Sequence, residues 1–336
     1  MANAPDPAWF ARLPKVELHV HLEGAISLDA LFELVRKYGS EEPIPDREAL
    51  RRKLVYRDFP HFIEMWSWKN GYLREYDDFT LLAESAARSF AGQNIRYAEA
   101  FFSPSDFFRH GLTTGRLAEA IREGLGRVPE VEVALVADLV RDRGPENARR
   151  TLAEVEEARG FGIIGVGIGG SEHEHPPAPF AGVFEEARRL GFRTSAHAGE
   201  AAGPESVRDA VLILRVDRVG HATRAAGDEA LLDLLAERRI PIELCPLSNV
   251  RCGVVPSLRE HPARLFHEKG LLITINTDDP TMFGNSLAEE YALLESELGF
   301  TREEIRGLVR NAAAASWLPE ERKRALEAEV SGDPRA

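Results

Sequence analysis

The feature that most restricts the fold is a regular alternation of short apolar runs with amphipathic stretches. The apolar runs fall at Val16–Leu22, Arg96–Phe102, Val131–Ala137, Gly162–Ile168, Arg193–His197, Arg218–His221, Ile240–Leu244 and Leu271–Ile275. Helical periodicity marks Gly115–Leu125, Pro145–Arg159, Phe180–Leu190, Pro204–Leu214, Asp228–Arg238 and Leu258–Lys269, with Gly191 and Gly270 placed as C-terminal stops. Strands that are apolar on both faces belong to buried parallel sheets, and every parallel pair needs a crossover. Eight β-then-α units predict an α/β chain closed into a (β/α)8 TIM barrel rather than an open sheet. The 336 residues then form one barrel domain, with a helical insertion over about 40–94 and extra C-terminal helices over about 285–330. Asn285–Leu298 and Arg302–Ala315 are expected to close the bottom or side of the barrel, and Ser331–Ala336 to fray.

Along the first strand Glu17, His19 and His21 share one face, and Leu18, Val20 and Leu22 the other. Ser27 reads as the cap of a helix carrying Leu28, Leu31, Phe32, Leu34 and Val35, stopped at Gly39. In the insertion, Phe59, Phe62, Ile63 and Trp66 recur at helical spacing, with Trp68 and Tyr72 behind. They are expected to form an outer packing helix, with one or two aromatics serving as a lid, because insertions after a barrel strand sit at its catalytic rim.

A formal charge of −13 excludes a nucleic-acid partner, which needs clustered cations. Two cysteines, Cys245 and Cys252, supply neither a disulfide framework nor a cysteine-rich zinc motif. The stretch Met1–Pro7 lacks the basic and apolar segments of a signal peptide, and no run approaches the ~20 apolar residues of a membrane helix. The expectation is a cytoplasmic protein with no membrane partner.

Reactive side chains gather at the C-terminal ends of the strands, where barrel active sites lie. His19 and His21 end the first, Gly169-Gly170 the fourth, His197 and Glu200 the fifth, His221 the sixth, Asp278 and Asp279 the eighth. The two aspartates serve one pocket only if the strand stops before them, and Pro280 cannot extend a ladder. His173 and His175 read as solvated or rim residues. His61, His110, His261 and His267 read as packing residues without carboxylate partners. Three imidazoles and a carboxylate, His19, His21, His197 and Asp278, suit one divalent transition metal per chain, zinc first. Such an ion lowers the pKa of bound water to about 7, giving hydroxide at neutral pH.

His19-x-His21-Leu-Glu-Gly24, His197-Ala-Gly-Glu200, Val219-Gly-His221 and Asn276-Thr-Asp-Asp-Pro280 occur in this order, and together they resemble the adenosine deaminase family of amidohydrolase barrels, from about Leu13 to Ala315. The resemblance implies the same four metal ligands, His21 also facing the substrate. It implies Glu200 as the acid that protonates purine N1 and His221 as the residue that positions and helps activate water. Asp279 is implied as the partner of N7, the Gly170 backbone N–H as that of N3, and Asp278 as a proton acceptor. Burial close to Asp279 is expected to raise the pKa of Glu200. Cys245-Pro-Leu-Ser-Asn249 resembles the family's Cys-Pro-x-Ser segment and is expected to shape the rim, both thiols being structural.

Two departures bear on the substrate. Glu23 stands where adenosine-type enzymes carry Asp near the ribose, and Gly167 where a family Asp is common. The expected reaction is hydrolytic deamination of a 6-aminopurine nucleoside, adenosine or a modified relative, to the 6-oxo product and ammonia. Glu23, Phe59, Phe62, Trp66 and Trp68 are expected to favour a nucleoside over the free base. Adenine or aminodeoxyfutalosine are the alternative substrates, and a purine-binding signalling module is the non-enzymatic alternative. A hydrolase with a carboxylated lysine on the fourth strand is disfavoured, since Gly160–Ser171 contains no Lys. The cysteine-based zinc deaminase signature is also absent.

Overall fold

The computed structural model describes residues 6–57 and 59–332, the side chains of Phe59 and Pro60 excepted. Eight strands stand in chain order: β1 Lys15–His21, β2 Ile95–Phe102, β3 Glu132–Asp138, β4 Ile163–Gly167, β5 Arg193–Ala198, β6 Arg218–His221, β7 Ile242–Leu244 and β8 Ile273–Ile275. Each pairs in parallel with the next. Flanking helices complete a (β/α)8 barrel.

Closure between the last strand and the first is made by the segment leaving β8. Asp278 N–H donates to His19 O at 3.0 Å, and His21 N–H to Asp278 O at 2.8 Å. One step earlier the Asn276 side chain replaces a ladder carbonyl, accepting Leu18 N–H at 2.9 Å. The barrel seam therefore fixes Asp278 against both histidines of β1. β7 begins two residues later than the sequence suggests, because Pro241 has no N–H for the ladder; its carbonyl still accepts from Val219.

Ser27 caps the helix Leu28–Tyr38 by accepting Ala30 N–H, and Gly39 ends it at φ +72°. The insertion folds as helices Arg47–Lys53, Phe59–Asn70 and Tyr76–Gly92. Two expected helices differ in detail. Pro204–Asp209 continues into a π-type turn, Ala210–Leu214. The run from Leu258 splits into a 3-10 turn, Leu258–Glu260, and a helix, Ala263–Glu268, since Pro262 forces His261 into extended backbone.

The bottom of the barrel is plugged by buried charge. Lys15 donates to the carbonyls of Phe10 and Leu13, at 2.7 and 2.6 Å, satisfying the end of the helix Pro7–Arg12. Arg218 bridges Glu99 and Glu243, stacks on Trp317 and bonds Ala315 O, tying the end of the helix Arg302–Ala315 to β6. A further helix, Glu320–Val330, precedes a turn at Ser331; the rest of the stretch expected to fray, residues 333–336, lies outside the described residues. No helix among the described residues is long and apolar enough to cross a membrane.

Candidate active site

His19, His21, His197 and Asp278 converge, with one donor atom from each within 4.8 Å of the others. His197 Nε2 lies 3.0 Å from His19 Nε2 and 3.1 Å from His21 Nε2, while Asp278 Oδ1 lies 3.7 and 3.4 Å from the same two nitrogens. The Nδ1–H of His19 donates to Glu243 Oε2 at 2.8 Å, so its Nε2 carries a bare lone pair. Burial pushes His19 and His197 well below the usual imidazole pKa, and His21 down to about 3, so all three stay neutral. Three neutral imidazoles and a carboxylate that turn their donor atoms to one point form a ready set of lone pairs for a shared cation. Donors ~2.0–2.1 Å from one ion keep separations of this order, and the set fits a divalent metal of the zinc type.

Backbone strain at the strand exits aims these groups. β8 stops at Ile275, and Asp278 adopts φ +66°, so that it and Asp279 both reach the cavity. His221 and Ala222, at φ +62° and +51°, make the same turn after β6. A non-glycine residue held in this region costs about 1–3 kcal/mol. For Asp278 the two seam hydrogen bonds and the Ser248 hydroxyl, which donates to Oδ2 at 2.7 Å, supply the restraint.

Beside the metal set lies Glu200, with a carboxyl oxygen within 4.8 Å of donor atoms of His221 and Asp278; its carboxyl is pushed up to about 8 by burial and then by the charge of Glu172. The Glu172 charge takes the part expected of Asp279. Glu172 grips the whole turn, accepting N–H groups from Gly199, Glu200, Ala201 and Ala202 at 2.5–3.1 Å. Arg141, fully buried, donates to His197 O and Ile168 O and so pins the ends of β4 and β5. The carboxyl of Asp279 is raised well above its ordinary value by burial and by Asp278, and its Oδ1 has no protein partner. It reaches its place across Gly24, where a Cβ would stand 1.8 Å from that oxygen. His221 presents Nε2 to the cavity, 3.7 Å from Glu200 Oε2.

The cavity is lined by His21, His197, Glu200, His221, Asp278 and Asp279, by Gly169 and Gly170, by Ser103, Asp106, Asp138 and Val140, and by Cys252 and Phe283. Gly170 holds φ +107°, open to glycine. Gly167, the second departure noted in the sequence, leaves room for Phe101, whose ring stacks on His21 at 5.3 Å.

Several expectations need correcting. Glu23 does not line the cavity; it is buried behind Ser103, whose N–H it accepts at 2.8 Å, and burial raises its carboxyl to about 7. Of the insertion's residues, two aromatics, Phe62 and Trp66, line the cavity, as many as expected, and Ile63 joins them. Trp68 instead packs on Tyr72, and the Phe59 side chain lies outside the described residues. His267 does have a carboxylate partner, Glu304 at 3.2 Å, away from the site. The segment after Cys245 bonds the site directly, Ser248 to Asp278 and Asn249 to His221. Cys245 and Cys252 are buried and unpaired. Glu243, Glu172 and Asp138 were missed as site residues by sequence reasoning, and Ser248 and Asn249 were expected only to shape the rim; for Glu243 the available signal was a lone carboxylate inside an apolar strand.

The family model described as Adenosine deaminase matches residues 14–332. The chain is 37% identical over 315 residues to an adenine deaminase of Streptomyces coelicolor, covering 92% of each protein. It is equally 37% identical over 329 residues to an aminodeoxyfutalosine deaminase of Streptomyces avermitilis, covering 96% of this chain and 92% of that one. Among solved structures it is similar to an amidohydrolase from Burkholderia ambifaria with bound Zn, with TM-score 0.89, 29% identity, and 97% and 91% of the two chains covered.

Proposed function

Because the chain belongs to the adenosine deaminase family, metal-dependent hydrolases of C–N bonds, we propose that it replaces the 6-amino group of a purine nucleoside by oxygen. The observation that carries this reading is the pairing of a neutral-acid Glu200 with the adjoining His19, His21, His197 and Asp278 set at one cavity. One divalent ion per chain, zinc first, would be held by those four residues and would supply a water of lowered pKa at neutral pH.

The chain's own groups do the rest. Addition of oxygen at C6 breaks the aromaticity of the ring and loads negative charge on N1, so N1 must gain a proton as the bond forms. Glu200, protonated below about pH 8, donates it. Asp278, raised by burial to about 6, is ionised at neutral pH and more basic than an ordinary Asp, which suits it to accept the water proton. Asp279, shifted toward its protonated form by burial and by Asp278, donates to N7, an acceptor. The Gly170 N–H meets N3. Return of a proton to the amino nitrogen releases ammonia, so the purine and one water become the 6-oxo purine and ammonia. Phe62, Ile63 and Trp66 exclude bulk water.

The polar lining beyond the reacting groups favours a neutral sugar. Ser103, Asp106 and Asp138 offer polar groups for hydroxyls, and no Lys or Arg lines the cavity among the described residues. A nucleoside monophosphate would bring its charge beside Asp106 and Asp138, where Arg143 is already engaged by Asp106 at 2.8 Å. Free adenine is the second reading, favoured by a cavity of only about 110 Å³ and by relatives named adenine deaminase. The free thiols accord with action in the cytoplasm. Ammonia release from adenosine, deoxyadenosine, adenine, aminodeoxyfutalosine, N6-substituted purines and adenosine monophosphate tests the proposal. A nucleoside should give the highest kcat/KM and the monophosphate the lowest. Adenine in first place overturns the nucleoside assignment, and no ammonia from any of them overturns deamination.

A further inference from the structure

An imidazole beside an attacking oxygen serves as donor or as acceptor according to which ring nitrogen carries the proton, and that is set by what the other nitrogen meets. For His221 the setting begins far from the cavity, at a backbone N–H that has only one possible role. Ala263 N–H donates to His261 Nδ1 at 3.2 Å, so that nitrogen bears a lone pair. His261 is 3% exposed, and burial lowers its pKa to about 3, so the ring is neutral and its proton lies on Nε2. His261 Nε2–H then donates to Asn249 Oδ1 at 3.1 Å, and the Thr223 hydroxyl lies 2.8 Å from the same oxygen. Turning the amide round would set its NH2 against His261 Nε2–H, so the orientation of Asn249 follows from its surroundings. Its Nδ2–H consequently faces His221 Nδ1, at 3.1 Å.

We infer that Ala263 N–H, His261 and Asn249 form a one-way hydrogen-bond relay that holds His221 as the Nε2–H tautomer. His221 is thereby a hydrogen-bond donor to the attacking oxygen and not its base. His221 Nε2 is buried without a protein partner and faces the cavity, where the oxygen must arrive. With that nitrogen protonated, removal of the water proton falls to Asp278. Asn249 and His261 are positioning residues, acting only through His221. The inference rests on the proposed deamination for the role of His221, but the tautomer itself is independent of any substrate.

The test uses metal-loaded enzyme labelled with 15N in its histidine rings, with the His221 signals identified by their loss in His221→Gln. A proton on Nε2 and none on Nδ1 is expected without substrate; a proton on Nδ1 overturns the relay, whatever the enzyme deaminates. In steady-state assays His261→Phe should lower kcat by about 10²-fold, with KM and metal content unchanged, by releasing the amide to rotate. His261→Gln, whose amide nitrogen reaches the position of Nε2, should recover most of that loss. Equal losses in the two variants, or a raised KM at unchanged kcat, overturn the inference. If His261→Phe does not fold, the ring-nitrogen spectrum of the wild type decides alone. Absence of deamination from every purine would refute the proposed function and leave the spectrum to judge the relay.

Discussion

Glu172→Gln separates the two causes that keep Glu200 protonated. Burial is the larger and is untouched by the substitution; the Glu172 charge is the second and is removed. A like charge beside a buried carboxyl raises its pKa by about 1 pH unit or more, so its removal lowers the pKa. The lowering effects of Arg141 and Arg224 persist in the variant, so loss of the Glu172 charge is expected to lower the pKa of Glu200 by about 1 pH unit or more. The protonated acid is the active form, so activity is lost as pH rises through its pKa. The alkaline limb of kcat/KM, near pH 8 in the wild type, should move toward about 7. The amide keeps one oxygen for the N–H groups of Glu200, Ala201 and Ala202, but its NH2 faces Gly199 N–H. That unpaired buried donor costs about 1–3 kcal/mol of stability, readable as a lower unfolding midpoint. A folded, metal-loaded variant whose alkaline limb stays in place would refute the assignment of that limb to Glu200 beside Glu172.

Glu243→Gln weakens the acceptor that orients His19, and chelator competition should show metal affinity lower by about 10–100-fold. His197→Ala should abolish stoichiometric metal by elemental analysis, because His197 Nε2 lies between the two histidines of β1. Gly24→Ala places a methyl group where Asp279 Oδ1 now lies. It should cost about 10²-fold in kcat/KM while metal content is kept, and unchanged kinetics would remove Asp279 from purine binding.

The barrel and much of its site were legible because a parallel barrel sends every strand exit to one rim. His19, His21, His197, Glu200, His221, Asp278 and Asp279 all sit at such exits, and a list of strand ends already contains them. What was hidden depends on distance across the chain. Glu243 meets His19 over 224 positions, and in sequence it is one acidic residue in a short strand. Glu172 lies in a polar loop that reads as solvated, yet it is 2% exposed and holds the turn before Glu200. Asp138 fell just past the expected end of β3, which runs one residue further. Glu23 was placed at the sugar by counting from His21, but the chain turns into a 3-10 segment at Glu23–Ala25 and carries its side chain behind Ser103. His261 looked like packing because its partner, Asn249, belongs to a helix that sequence periodicity did not reveal.

The proposed deamination turns on a proton delivered by Glu200, and Glu200→Gln tests it most directly. The glutamine fills the same space beside Glu172 but cannot release a proton to N1. Metal-loaded wild type and variant should be compared in steady-state ammonia release from adenosine, with binding of the 6-oxo product measured alongside. A fall in kcat of about 10²-fold or more, at unchanged metal content and product affinity, is the predicted result. Near-wild-type kcat with a raised KM would contradict it, leaving Glu200 as a binding group and the chemistry to another residue.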